Sequence, residues 1–116
     1  MPRPTKCRRV CHYPQTLEFR PTVTDEALPP VILAVDEYEA IRLIDREGLS
    51  QEECSRRMQV ARTTVQRVYE TARRKLADAI VEGRALRIEG GDFRLCDGHG
   101  CEHRPCILNT LQTQYD

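Results

Sequence analysis

Residues Ser50–Ile80 read SQEECSRRMQVARTTVQRVYETARRKLADAI, and this stretch decides the fold. Ser50 followed three residues later by Glu53 is a capping box, which marks the start of a helix at Gln51. Counted from Gln51, the fourth, eighth, tenth, fifteenth and eighteenth positions are Cys54, Met58, Val60, Val65 and Val68, all apolar, and the fifth is the small Ser55. That is the steric pattern of a helix-turn-helix, with Gln59-Val60-Ala61 as the tight turn and a longer helix from Arg62 to about Glu82, closed by Gly83. The ninth position is Gln59, where the backbone usually wants a positive φ and a glycine, so Gln59 is expected to carry some strain or a slightly altered turn.

The core stripe of the longer helix reads Val65, Val68, Ala72, Leu76 and Ala79/Ile80. The opposite side carries Thr63, Gln66, Arg67, Glu70 and Arg74, with Arg62 and Arg73 at its borders. These are side chains that read bases in a DNA major groove: Arg67 suits guanine, Gln66 adenine, Glu70 cytosine and Thr63 a thymine methyl. Arg62, Arg73 and Arg74 are better placed for phosphates, which position a helix without specifying sequence. The bland alternative is a solvated, arginine-rich helix of a three-helix bundle.

Upstream, Val35, Tyr38, Ile41 and Ile44 recur every three residues, with Ala40 and Leu43 widening the stripe. This predicts a first helix, with Asp36 as N-cap, Glu39 completing a capping box, and Gly48 ending it in a left-handed conformation. Downstream, Leu86 and Ile88 alternate, Gly90-Gly91 supplies a turn, and Phe93 and Leu95 alternate again, the pattern of a small β-hairpin. Six of the seven prolines fall in residues 1–34, which predicts an extended arm there, with Val10–Tyr13 and Leu17–Phe19 as short strand candidates. The expected fold is therefore mainly α: a three-helix helix-turn-helix core (35–83), preceded by a basic, Pro-rich arm carrying Cys7 and Cys11 (1–34). The hairpin (84–95) and a Cys/His-rich tail (96–116) follow.

With 116 residues the chain has room for one small core. No apolar run spans a membrane and none follows the N-terminus as in an export signal, so the expectation is a cytoplasmic protein with no membrane partner. Its six cysteines are then reduced, which favours metal ligation or buried thiols over disulfides. Formal net charge is zero, with 18 basic and 18 acidic side chains, yet the charges are segregated. Val35–Glu53 holds seven carboxylates against two arginines, and Arg56–Lys75 holds seven basic side chains against Glu70 alone. A polyanion meets that local field rather than the net charge.

Cys7 and Cys11 in the arm, and Cys96, Cys101 and Cys106 in the tail with His99 and His103 between them, form two ligand-rich segments flanking the core. Four of these seven side chains make a tetrahedral zinc site that would staple arm to tail. An iron–sulfur cluster is compatible with four thiolates, and the absence of any metal is the third alternative. Cys54 lies on the core face of its helix and reads as packing.

No phosphate-binding loop, nucleophile elbow or H-E-x-x-H motif is present, so no enzymatic activity is expected. A thiol oxidoreductase built on Cys96, Cys101 and Cys106 lacks the usual Cys-x-x-Cys pair. A protein-interaction module docking on transcription machinery such as RNA polymerase is the non-enzymatic rival to DNA binding. A single helix-turn-helix makes few base contacts, which makes a homodimer plausible although no heptad marks an interface.

The segments MPRPTKCRRVC, VDEYEAIRLIDREGLSQEE and ALRIEGGDFRL resemble uncharacterised protein family 0251, also called domain of unknown function 134, over most of residues 1–95. The resemblance implies a prokaryotic DNA-binding protein with a helix-turn-helix akin to region 4 of bacterial sigma factors, acting in transcription regulation. Two positions depart from the family pattern: Gln59 stands where glycine is usual, and Ala61 where a capping serine is usual.

Overall fold

Local signals set the middle of the chain. Glu53 donates its backbone N–H to Ser50 Oγ at 3.1 Å, and Ser50 donates its own to Glu53 Oε1 at 3.0 Å. That reciprocal cap opens a helix over Gln51–Met58. A three-residue turn leads to the long helix Arg62–Glu82, which stops at Gly83 in the left-handed conformation expected of a C-terminal glycine. The computed structural model describes residues 8–23 and 28–95. Within them the order is β1 (Arg8–Val10), β2 (Glu18–Phe19), β3 (Val31–Leu33), α1 (Val35–Ile41), α2 (Gln51–Met58), α3 (Arg62–Glu82), β4 (Leu86–Ile88) and β5 (Phe93–Leu95). A π-helical segment, Arg42–Arg46, prolongs α1.

Two apolar clusters hold these elements together. Ala40, Leu43, Cys54, Met58, Val65 and Val68 form the first, where α1 and its extension meet α2 and the front half of α3. Val10, Leu33, Val35, Ala72 and Ile88 form the second, which fastens the strands to α1 and the middle of α3. The result is a helical core with small sheets. Cys54 packs at the centre of the first cluster, its thiol 3.7 Å from Met58 Sδ. Burial pushes that thiol's pKa up to about 12, so it stays protonated.

Three expectations need correction. The first concerns the hairpin: β4 and β5 do not pair with each other. β4 is the middle strand of a β2-β4-β3 sheet, antiparallel to β2 and parallel to β3, while β5 pairs in parallel with β1. Gly90-Gly91 carries the chain across the start of α1 instead of turning it back. Val35 donates its N–H to Gly90 O at 2.9 Å. A Cβ on Gly91, whose φ is +102°, would lie 2.5 Å from Asp36 Oδ1 and 2.8 Å from Ala34 Cβ. Gly91→Ala is therefore expected to cost about 1–3 kcal/mol, read as a lower denaturant midpoint. Gly90→Ala meets no such contact and should cost less.

The second correction is the cap of α1. Asp36 is buried and faces Arg8 of β1 at 3.4 Å, and the residue at the N-cap is Ala34, whose N–H donates to Glu37 Oε1 at 2.8 Å. Asp36 was displaced from that role by a partner from another element. Burial raises its carboxyl pKa above the ordinary value despite the nearby guanidinium. The third is Ile80, assigned to the core stripe with Ala79. Ala79 is buried, but Ile80, about 100° further round the helix, is 79% exposed.

The cap of α2 carries a pH dependence. Bonds from the Ser50 backbone and side chain lower the Glu53 pKa below the usual carboxylate value. A depressed pKa in the folded state means the cap's contribution is present above the unfolded carboxylate pKa and is lost as pH falls through the lowered one. Ser50→Ala should cost about 1 kcal/mol at neutral pH, and Glu53→Gln should flatten the acid limb of a stability-versus-pH curve.

Candidate nucleic-acid interface

The turn between α2 and α3 lacks the usual glycine, yet it takes the glycine conformation. Gln59 has φ 59° and ψ 47°, left-handed and uncommon for a side chain of this type. It is the one non-glycine residue with positive φ among the described residues. Val60 donates its N–H to Ser55 O at 3.1 Å, closing the turn over the small Ser55 side chain. Two strands brace the turn from outside. Arg94 of β5 donates to the Gln59 side-chain carbonyl, and Arg9 of β1 donates from Nε to Arg57 O at 2.8 Å. Sequence reasoning missed both braces, because they join residues 35 and 48 positions apart and no local pattern announces them.

No side chain caps the N-terminus of α3, since Ala61 offers no acceptor. Val65, Val68 and Ala72 are buried on one side of the helix. On the other, Thr63, Arg67, Glu70 and Arg74 recur at spacings that return to one face of a helix, and all four are exposed. Arg62, Gln66 and Arg73 are exposed as well, so all seven side chains assigned to nucleic-acid contact lie open. They differ in freedom. Arg62, Arg67, Glu70 and Arg74 have no ion-pair partner among the described residues, whereas Arg73 Nε lies 3.6 Å from Asp45 and its guanidinium stacks 5.5 Å from the Tyr69 ring centre. Tyr69 donates its hydroxyl to Asp45 Oδ1 at 2.7 Å, a bond that raises the phenol pKa.

Of the expected metal ligands, Cys7, Cys96, His99, Cys101, His103 and Cys106 lie outside the described residues. Cys11 is described and buried, and its backbone N–H donates to Glu39 Oε2 at 3.1 Å. Among the described residues no group of three or more Cys, His, Asp or Glu side chains is gathered to hold a metal. No helix among them is long and apolar enough to cross a membrane.

These features define a small helical domain with auxiliary sheets and one open, basic helix face. The chain belongs to the family described as protein of unknown function DUF134, which it matches over residues 1–96. The UPF0251 protein of Desulfitobacterium hafniense strain Y51 is 54% identical to it over 101 residues, covering 86% of this chain and 81% of the relative. A UPF0251 protein of Thermoanaerobacter pseudethanolicus is 51% identical over 110 residues, covering 90% and 93% respectively. No solved structure matches the chain.

Proposed function

We propose that this protein binds double-stranded DNA sequence-specifically as a transcription regulator of the cytoplasm, using α2, the turn and α3 as a helix-turn-helix. The observation that carries the reading is the outer face of α3, where Thr63, Arg67, Glu70 and Arg74 stand exposed on the side opposite the buried valines. Arg67 is the guanine reader, with Gln66 and Glu70 beside it, and Arg62 and Arg74 hold phosphates. Arg73 must leave Asp45 to join them, so its contribution is smaller. The uncapped first turn of α3 adds N–H donors for a phosphate.

Selection from random duplexes followed by a salt titration tests this. An enriched motif whose log affinity falls linearly with log salt supports it. Retention without enrichment or salt dependence overturns it.

Metal binding is the second part of the proposal: zinc, or an iron–sulfur cluster in its place, on four of the seven arm and tail ligands. Its support is the parallel register of β1 and β5, in which Val10 stands opposite Leu95. Cys11 and Cys96 follow these two residues in the sequence. Elemental analysis of protein purified without oxygen is expected to find about one zinc per chain. Iron with sulfide would make the site a redox sensor, and no metal removes the ligand assignment while leaving the DNA reading in place.

A further inference from the structure

Ile80 and Val81 stand side by side on the last turn of α3, 79% and 82% exposed. Beside them, between the end of α3 and the β2-β4-β3 sheet, runs an apolar groove of about 500 Å³, walled by Phe19, Leu33, Leu76 and Leu86 and bordered by Ile80 itself. We propose that this end of the molecule is a two-fold interface with a second copy of the chain, Ile80 and Val81 of each copy seated in the groove of the other.

A two-fold contact uses the same patch on both partners, so it needs a protrusion and a recess on one surface. Both are present here, adjacent, and both are apolar. The charges on the rim choose among occupants. Arg20 and Arg84 flank the groove, and each is paired within its own chain to a carboxylate, Glu18 at 3.0 Å and Glu82 at 2.9 Å. Glu18 is shared with Arg87 at 3.7 Å, so the surroundings of the groove carry both signs with every lining arginine already paired, and a rotated copy can set arginine against glutamate.

The placement also suits the DNA reading, on which this one step rests. Arg67 and Ile80 are thirteen residues apart on α3, roughly 20 Å along the axis at 1.5 Å per residue. Two copies joined at their Ile80 ends put the two Arg67 side chains within about 40 Å of each other. That reach covers the spacing of roughly 34 Å between half-sites one helical turn apart.

Sedimentation equilibrium of the full chain, without DNA, tests the interface. The wild type is expected to approach twice the mass of one chain as concentration rises. Ile80→Asp and Val81→Asp should each weaken association at least about tenfold, with unchanged circular dichroism and, at dilutions where the wild type too is a single chain, an unchanged melting temperature, because both side chains are exposed in the single chain. A wild type that stays at the mass of one chain overturns the proposal, as does a dimer that persists in both variants. A single-chain species that takes up anilinonaphthalene sulfonate in the groove overturns it in favour of a small apolar ligand. A dimer that fails to bind DNA removes only the DNA reading, and DNA binding by single chains removes only the interface.

Discussion

Arg67→Ala is expected to weaken binding to the preferred DNA sequence by about ten- to a hundredfold and to relax the preference at one base pair. A bidentate guanidinium–guanine contact discriminates by roughly 1–3 kcal/mol, and Arg67 has no ion pair among the described residues to release before making it. Arg74, about two turns further along the same face, is the comparison that gives the result its meaning. As a phosphate contact, Arg74→Ala should weaken binding to all sequences alike and reduce the salt slope by about 1, with the preferred sequence unchanged. Binding isotherms on the selected duplex and on single-base variants, at several salt concentrations, separate the two. Equal, sequence-independent losses from both would mean that α3 only follows the backbone. No loss from either would return the helix to a solvated face.

The elements read correctly from sequence are those whose causes lie within about four residues. The Ser50–Glu53 cap, the αL conformation at Gln59 and the stop at Gly83 are all local geometry, and each stands where the pattern put it. The alternating apolar residues of 86–88 and 93–95 correctly signalled strands, but alternation says which residues face a core and nothing about which strand is the neighbour. Pairing was settled by contacts more than fifty residues apart, Ile32 with Arg87 and Arg9 with Arg94. The same limit explains the cap of α1. Asp36 satisfies the local rule for an N-cap, yet Arg8 from β1 holds it elsewhere and Glu37 takes over the reciprocal bond. For the candidate interface, periodicity was enough to choose the open face of α3. It could not show that Arg73 is drawn to Asp45, or that the core side of the last turn of α3 takes Ala79 and leaves Ile80 in solvent.

Glu39→Ala should be the most destabilising single change in the described core. Glu39 is 1% exposed, and both its carboxylate oxygens are engaged by Arg42, Nε at 2.9 Å on Oε1 and Nη2 at 2.9 Å on Oε2. Oε2 also accepts the Cys11 N–H, so one carboxylate ties α1 to the segment that follows β1. Truncation takes the bidentate acceptor from a buried guanidinium, which keeps only Glu47 Oε2 at 3.7 Å, and removes the acceptor of the Cys11 N–H; breaking a buried pair from one side costs about 3–5 kcal/mol, and the remaining Glu47 contact places this change at the lower end. Much of that cost is the buried charge left with a single, more distant carboxylate rather than the pair itself. The double variant Glu39→Leu with Arg42→Met, which removes both charges and keeps the volume, should therefore recover most of the loss. Recovery should be incomplete, since the Cys11 N–H has still lost its Glu39 acceptor, a buried bond worth about 1–3 kcal/mol. Denaturant unfolding of the wild type, the single variant and the double variant measures both differences. A double variant no more stable than Glu39→Ala would mean that the carboxylate's grip on the Cys11 backbone, not the ion pair, is what holds the arm to the core.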